Sequence, residues 1–493
     1  MHVNINYIKV VRYLKDTSVH KACGMDQISA NFIKFAASVI ANHICAIINR
    51  SIAQSEFPKL WKTALVKPLF KKGGKHEHVA SYRPISVLCI LSKILEKHVH
   101  SHFYSYLCDK QLLHSCQSGF RPKHSTQTCL IKMTNKWLNE IDKGNVIGCV
   151  AVDMSKAFDS LSHATLLSKL SLYGCNATTV KWFESYLCDR VQHVSIGNQV
   201  SEGKTVRYGV PQGSVLGPLL FCLYINDLPL VINNCDIDMY ADDVTLYTAK
   251  QSVSSLENCF NIDLPCLVKW CTANHLLINA GKTQTTIICS SQKQRHLEQQ
   301  QMHLKMQNVC LGNKDTLEIL GLNIDNHLSW REHIDCICAK IASKLGLMYR
   351  LRPYVNEHML RIFYNSYILP HIDGCLNIYG QASNVHLKKI QTLQNRAARL
   401  VLQADWYSHG QDLLNELQWM NVKQRTYYNM GVLMFKIFNN LVPDYLHVFS
   451  KQTHHYGLRS HDQYALYLNQ EQICVSSRLL IKALRYGIVC RLS

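Results

Sequence analysis

The sequence is short of charge, and the shortage falls on one sign. Only 18% of its 493 residues are Asp, Glu, Lys or Arg, below the usual quarter. The 34 acidic residues face 53 Lys plus Arg, leaving a formal net charge of +19. Spaced cysteine pairs are also missing. No CxxC occurs among 21 cysteines, and the tightest pair, Cys336 and Cys338, has no His pair at finger spacing nearby. That excludes a disulfide framework, argues against a zinc site and favours a reducing compartment. The N-terminus, MHVNINYIKVVRYLK, lacks the apolar core of a secretory signal. The most apolar stretch, 215–225, is about half a membrane span and contains Gly217 and Pro218. An integral membrane protein is therefore not expected. There is no repeat, and no low-complexity tract beyond QKQRHLEQQQ at 292–301, which reads as an exposed loop or helix end.

What is present is core material and positive charge. Hydrophobic residues make up 47% of the chain, which excludes disorder and supplies a buried interior. At about 150 residues per domain the length suggests roughly three domains or subdomains. The excess of cations points to an acidic partner, nucleic acid first and an anionic membrane second. A solvated positive face on a basic enzyme would give the same count.

Periodicity sorts the middle of the chain into elements. Leu130, Met133, Trp137, Leu138 and Ile141 share one helical face, and Gly144 marks its stop. Leu166, Leu167, Leu170 and Tyr173 do the same before Gly174, and Val180, Phe183, Tyr186 and Leu187 predict a third helix. The run VIGCVAVDM at 146–154 predicts a buried strand, and DIDMYADDVTLYT at 236–248 a hairpin with an Asp pair at or beside its turn. Together these predict an α+β fold, a sheet with helices on one face. After about 325 helical periodicity dominates. Leu387, Ile390, Leu393, Ala397, Leu400 and Val401 form an apolar stripe, with Lys388, Lys389, Asn395, Arg396 and Arg399 off it. That basic face suits a phosphate backbone, or is simply a solvated helix face.

Asp153 ends the predicted strand, and Asp242 and Asp243 occupy the predicted hairpin. If strand and hairpin are neighbours in one sheet, three carboxylates converge at its edge. Such a cluster raises its members' pKa values unless cations are present. Two Mg²⁺ ions answer that need, because Mg²⁺ takes oxygen ligands and retains substrate phosphates. Two metals about 4 Å apart activate an attacking oxygen and stabilise a leaving one. For an Asp pair alone, ordinary turn chemistry would be the better reading.

The surrounding residues change that weighing. Tyr240-Ala241-Asp242-Asp243, AVDMSKAFDSLSH at 151–163 and GVPQGSVLGPLLFCLYINDLP at 209–229 resemble the catalytic blocks of the reverse transcriptases of non-LTR (LINE-type) retrotransposons, most closely the jockey-like group. They stand in that family's order and spacing. GMDQIS at 24–29 is similar to the N-terminal block of non-LTR enzymes, and WKTALVKPLFKKGG with SYRPIS, 61–86, is similar to the fingers. SGFRPKHST at 118–126 looks like another family block, LLINAGKT at 276–283 and LEILGLNIDNHLSW at 317–330 like the last two palm blocks, and QTLQNRAARLVL at 391–402 like the basic thumb segment. The resemblance covers roughly residues 20 to 450.

It implies a right-hand polymerase with fingers, a palm built on an antiparallel sheet, and a helical thumb. The implied division is an N-terminal extension at 1–49, fingers and palm at 50–325, thumb and connection at 326–450, and a tail of uncertain fold at 451–493. The implied activity is RNA-directed DNA polymerisation, with an RNA template, a DNA primer and deoxynucleoside triphosphates as partners. Two Mg²⁺ ions, with Mn²⁺ as an alternative, would be held by Asp153 and Asp242 directly. Asp243 would be less closely engaged, and the Met154 carbonyl would add an oxygen. Phe158 would face the incoming sugar and exclude a 2′-hydroxyl, unless it is simply packed in the core. Lys71, Lys72 and Arg83 would hold the triphosphate, with the choice between the lysines open. Gly209, Gln212 and Gly213 form a side-chain-poor segment near the nascent base pair. Lys282 would donate a proton to the leaving pyrophosphate, or else serve structure or phosphate binding. Leu320 and Gly321 would grip the primer, and Lys388, Lys389, Arg396 and Arg399 the template–primer. His163 is expected to be structural.

The departures matter too. The first block begins about twenty residues in, so no endonuclease is expected in this chain, and the element RNA and a separate nuclease source become expected partners. No Cys-His knuckle or Trp-Asn segment follows the thumb, which suggests a truncated or frame-shifted copy. A decayed or co-opted copy that binds RNA without synthesis is the alternative, and an intron-encoded maturase is disfavoured by the jockey-like wording. An intracellular localisation is expected, with the choice between cytoplasm and nucleus open for want of an unambiguous basic import run.

Overall fold

The run predicted as a buried strand forms Val146–Val152, with every residue but Ala151 buried. The computed structural model describes residues 4–71, 73–297 and 300–447. Lys72 and the tail at 451–493 lie outside them. Val146–Val152 is the middle strand of a five-stranded sheet, ordered Gly312–Asn313, Gln284–Ile288, Val146–Val152, Asp243–Lys250, Asp236–Tyr240. Its two neighbours are antiparallel to it: Val152 pairs with Val244, and Ala151 pairs with Gln284 on the other side. The edge strand Gly312–Asn313 departs from the antiparallel pattern by running parallel to Gln284–Ile288.

One expectation needs correction. Helices cover both faces of this sheet, not one. Val146, Val150, Val152, Val244 and Leu246 share a core with Phe260 of the Val253–Ala273 helix and with the Gly217–Tyr224 helix. Ile147, Cys149 and Tyr247 face the other way, onto Trp137 of the Thr126–Asp142 helix and the hairpin Thr316–Ile319/Leu322–Asp325. The reason is in the strand itself. A run that is apolar at successive positions, rather than at alternate ones, needs cover on both sides.

A second sheet stands beside the first. Thr63–Phe70 pairs antiparallel with Tyr82–Leu88 and parallel with Arg190–Ile196. The Ala37–Gln54 and Ile90–Asp109 helices bury their apolar faces in the core shared with Val146, Val150 and Val152. After the last hairpin the described chain is helical, through Arg331–Leu351, Asn384–Leu402, Gly410–Glu416 and Val422–Phe438. The Asn384–Leu402 helix buries Ile390, Ala397, Leu400 and Val401 as its stripe predicts, and Gln394 with them. The Gln394 amide nitrogen donates to Tyr364 Oη (3.0 Å) and the Met420 carbonyl (2.9 Å). Those bonds offset its desolvation, which apolar periodicity alone cannot foresee. At the far end Tyr445 returns to the Thr126–Asp142 helix, donating to Thr128 Oγ1 (3.2 Å) and lying 3.1 Å from Ser118 Oγ just before that helix. Among the described residues no helix is long and apolar enough to cross a membrane.

Candidate active site

Sheet register gathers the carboxylates. Tyr240 pairs with Asp243, so Ala241 and Asp242 make the hairpin turn. Because Val152 pairs with Val244, the next step along both strands sets Asp153 level with Asp243. Residues far apart in the sequence thus meet at one edge of the sheet. Burial raises Asp242 above the usual carboxylate range; the Asp153 charge adds to this, and Arg83 pulls the other way. Asp243 is pushed up to about 6, by lost hydration first and then by Asp242 and Asp153. Lost hydration leads in both, and the neighbouring like charges add to it.

Among the described residues no group of three or more His, Cys, Asp or Glu side chains is arranged to hold a metal ion by itself. The donors at the turn are nevertheless hard, oxygen-only and mutually repulsive. That chemistry fits a divalent cation whose remaining ligands are water and phosphate oxygens.

The main chain around Asp153 is held on its far side. Its N–H donates to Thr283 Oγ1 (3.3 Å), and its carbonyl accepts from Asn279 N–H (2.8 Å). The same Asn279 carbonyl accepts from Lys282 N–H (3.1 Å), so the turn carrying Lys282 is stitched to Asp153 while the Lys282 side chain is exposed. Met154 is buried and pairs with Ile278.

Phe158 stacks on the buried Phe221, with centroids 4.3 Å apart, and meets the edge of Phe120 at 6.0 Å. The next residue, Asp159, was not foreseen. It accepts from Gln212 Nε2 (2.8 Å), and burial raises its pKa against the opposing effects of Gln212, Lys156 and Lys71. Gln212 also takes Ser86 N–H on its carbonyl (2.7 Å), so one residue ties together three segments. Gly213 adopts φ +123° against the Ser86 carbonyl, which a Cβ would meet at 2.6 Å. Gly209, at φ +79°, lies as close to the backbone of Phe158 and Asp159. His163 Nε2 donates to the Gly209 carbonyl (2.7 Å), a structural contact.

Arg83 lies on the Tyr82–Leu88 strand of the second sheet, and Lys71 directly follows the Thr63–Phe70 strand. Lys71 N–H donates to the Ser81 carbonyl (2.7 Å), and its Nζ reaches the Ala80 carbonyl (3.0 Å). Arg83 is exposed, and its charge is felt at Asp242.

Leu320 and Gly321 form the turn of the Thr316–Ile319/Leu322–Asp325 hairpin, both at positive φ, 51° and 82°. On the Asn384–Leu402 helix, Lys388 and Arg396 are exposed. Lys389 is ion-paired with Asp335, and Arg399 donates to the Ser408 carbonyl (3.0 Å) while lying over the Trp406 ring. Lys388, Lys389 and Arg396 thus face solvent, Lys389 through a surface ion pair, while Arg399 is half-buried and engaged by the Ser408–Trp406 loop.

The hairpin's own Asp238, a buried carboxylate, takes part in an ion pair that periodicity could not show. Lys132 Nζ is 2.6 Å from Asp238 Oδ1, and Tyr247 Oη donates to Asp238 Oδ2 (2.8 Å). Gln117, hydrogen-bonded to the Ala241 main chain, was likewise unforeseen. Its only signal is that it precedes the SGFRPKHST block.

Residues 70–324 match the family model described as reverse transcriptase (RNA-dependent DNA polymerase). The chain is 28% identical over 428 residues to a probable RNA-directed DNA polymerase from transposon BS of Drosophila melanogaster, covering 85% of this chain and 47% of that protein. It is 27% identical to the RNA-directed DNA polymerase from mobile element jockey of the same fly, over 81% of this chain and 44% of that one. A probable RNA-directed DNA polymerase from transposon X-element, also from Drosophila melanogaster, is 26% identical over 83% and 45%. The chain spans about half the length of the curated relatives it matches.

Proposed function

The chain belongs to the reverse transcriptase (RNA-dependent DNA polymerase) family, and from that premise we propose that it extends the 3′-hydroxyl of a primer on an RNA template, as the polymerase of a jockey-like non-LTR retrotransposon. The observation that carries the reading is the register that sets Asp153 level with Asp243 beside Asp242, with raised proton affinity at the hairpin pair. In this reading residues 50–325 are fingers and palm, and 326–450 the helical thumb and connection.

The reaction forms a bond between the primer 3′-oxygen and the α-phosphorus of a deoxynucleoside triphosphate. It breaks the bond from that phosphorus to the bridging oxygen, and pyrophosphate leaves. Two divalent cations, Mg²⁺ or Mn²⁺, would supply polarisation of the attacking oxygen and neutralisation of the leaving one. Asp153 and Asp242 would hold them, with the Met154 carbonyl and Asp243 completing the protein's share. Arg83 and one of Lys71 and Lys72 hold the triphosphate, for which a guanidinium offers paired donors. Phe158, braced between Phe221 and Phe120, occupies the place of a 2′-hydroxyl. Gln212 and Gly213 bring backbone close to the nascent pair. Lys282 gives a proton to the departing pyrophosphate oxygen. Most of the work is placement.

Primer extension on an RNA template with Mg²⁺ tests this. Wild-type protein yields cDNA, and Asp242→Asn reduces the yield to background. Tight RNA binding without extension by either protein would instead favour a catalytically silent RNA-binding copy.

A further inference from the structure

Ala241, the residue before the Asp pair, stands at φ +56°, in the left-handed region that an L side chain keeps only where its surroundings hold it. What surrounds it is Gln117, a side chain only 1% exposed. Gln117 Oε1 accepts from Ala241 N–H (3.0 Å) and from Gly119 N–H (2.6 Å), and its Nε2 reaches the Ala241 carbonyl (3.4 Å). One side-chain amide therefore takes both main-chain groups of the residue that sets the turn.

The flanking backbone fixes Gln117 in turn. Ser118 N–H donates to the Met239 carbonyl (2.8 Å), and Met239 N–H donates to the Cys116 carbonyl (2.9 Å). Residues 116–118 thus lie along the strand that leads into the turn. Gly119 permits the approach, since a Cβ there would stand 2.3 Å from Ala241 N.

We propose that Gln117 is a positioning residue: its amide clamps Ala241 in the left-handed conformation and so aims Asp242 and Asp243 at the sheet edge where Asp153 lies. The inference rests on the polymerase reading for its catalytic consequence, but not for the clamp itself. Gln117 touches no reacting atom. It acts by satisfying a buried N–H that would otherwise pull the turn toward another conformation.

The test uses the full chain in three variants. Gln117→Leu keeps the bulk and removes the amide. Hydrogen exchange of the 239–243 segment is expected to quicken at least about tenfold, because the Ala241 amide loses its acceptor. In primer extension kcat is expected to fall by about 10²-fold, the loss that a misplacement of roughly 1 Å produces, while nucleotide KM and template–primer affinity stay within about threefold. Adding Ala241→Gly to Gln117→Leu is expected to recover much of kcat, since glycine adopts positive φ without steric cost. A general loss of packing would not be repaired this way. Should Gln117→Leu fail to fold, Gln117→Met, which follows the length of the glutamine side chain and likewise lacks the amide, is expected to give the same exchange and kcat changes. Wild-type exchange and kcat in the folded variant, or a double variant no better than Gln117→Leu, would overturn the proposal. A wild-type chain that extends nothing would sink the polymerase reading instead, and exchange at 239–243 would still decide the clamp.

Discussion

Phe158 makes contacts that a sugar gate needs and that a plain core residue would also make. It is stacked on Phe221, which is fully buried, and is touched edge-on by Phe120, which is half exposed. A ring braced on two sides cannot swing away from a 2′-hydroxyl, so exclusion would be steric and rigid. Phe158→Ala is therefore expected to lower the preference for deoxyribonucleotides over ribonucleotides by at least about 10²-fold, with deoxynucleotide incorporation falling much less. Competitive incorporation of paired dNTP and rNTP substrates measures this, and unchanged discrimination would leave Phe158 a packing residue. Its neighbour Asp159 shows where a residue-level reading stops. Nothing in AFDS says that the carboxylate will meet Gln212 from another segment. That contact belongs to the fold.

At the scale of elements, His333 sits where the Thr316–Ile319/Leu322–Asp325 hairpin meets the Arg331–Leu351 helix. It is buried at the start of the Arg331–Leu351 helix, where its Nδ1 accepts from Asn323 N–H (3.3 Å) and its ring meets Tyr379. Burial, helped by Lys340, lowers its pKa to about 4. The folded chain therefore keeps His333 neutral, while the unfolded chain takes up a proton near pH 6.5. Its contribution is fully present above about pH 6.5 and is lost as pH falls toward 4, by of order 3 kcal/mol. Chemical denaturation between pH 7 and 4.5 should show that loss, and His333→Gln, which keeps an acceptor for Asn323, should remove its share of the slope. An equally steep loss in the variant would assign the effect elsewhere. The elements themselves were largely legible. The helix at 126–142, the strand at 146–152 and the hairpin with its Asp pair all follow from period and punctuation. The number of covered faces was misread, because an unbroken apolar run was given the neighbours of an alternating one.

For the whole molecule, the excess of cations predicts affinity for template–primer that falls steeply with salt as condensed counterions are released. The structure sharpens the expectation residue by residue. Lys388→Ala and Arg396→Ala, at exposed positions, should each reduce the slope of log affinity against log salt by about 1. Lys389→Ala and Arg399→Ala should change it less, because those cations are already engaged by Asp335 and by the Ser408–Trp406 loop. Fluorescence anisotropy across a salt series reads these slopes, and equal slopes for all four variants would remove the distinction. The sequence by itself determined the family, the order of its blocks and the mixed helix-and-sheet class, and it singled out the three carboxylates proposed for the site, since each is a matter of local residue type and spacing. Only the tertiary structure decided which groups meet. Register sets Asp153 level with Asp243, Gln212 finds Asp159, Lys132 finds Asp238, and Gln117 reaches Ala241. All four depend on contacts between segments distant along the chain. Hydrophobic period records which face of an element is buried, but it carries no information about what lies across the interface.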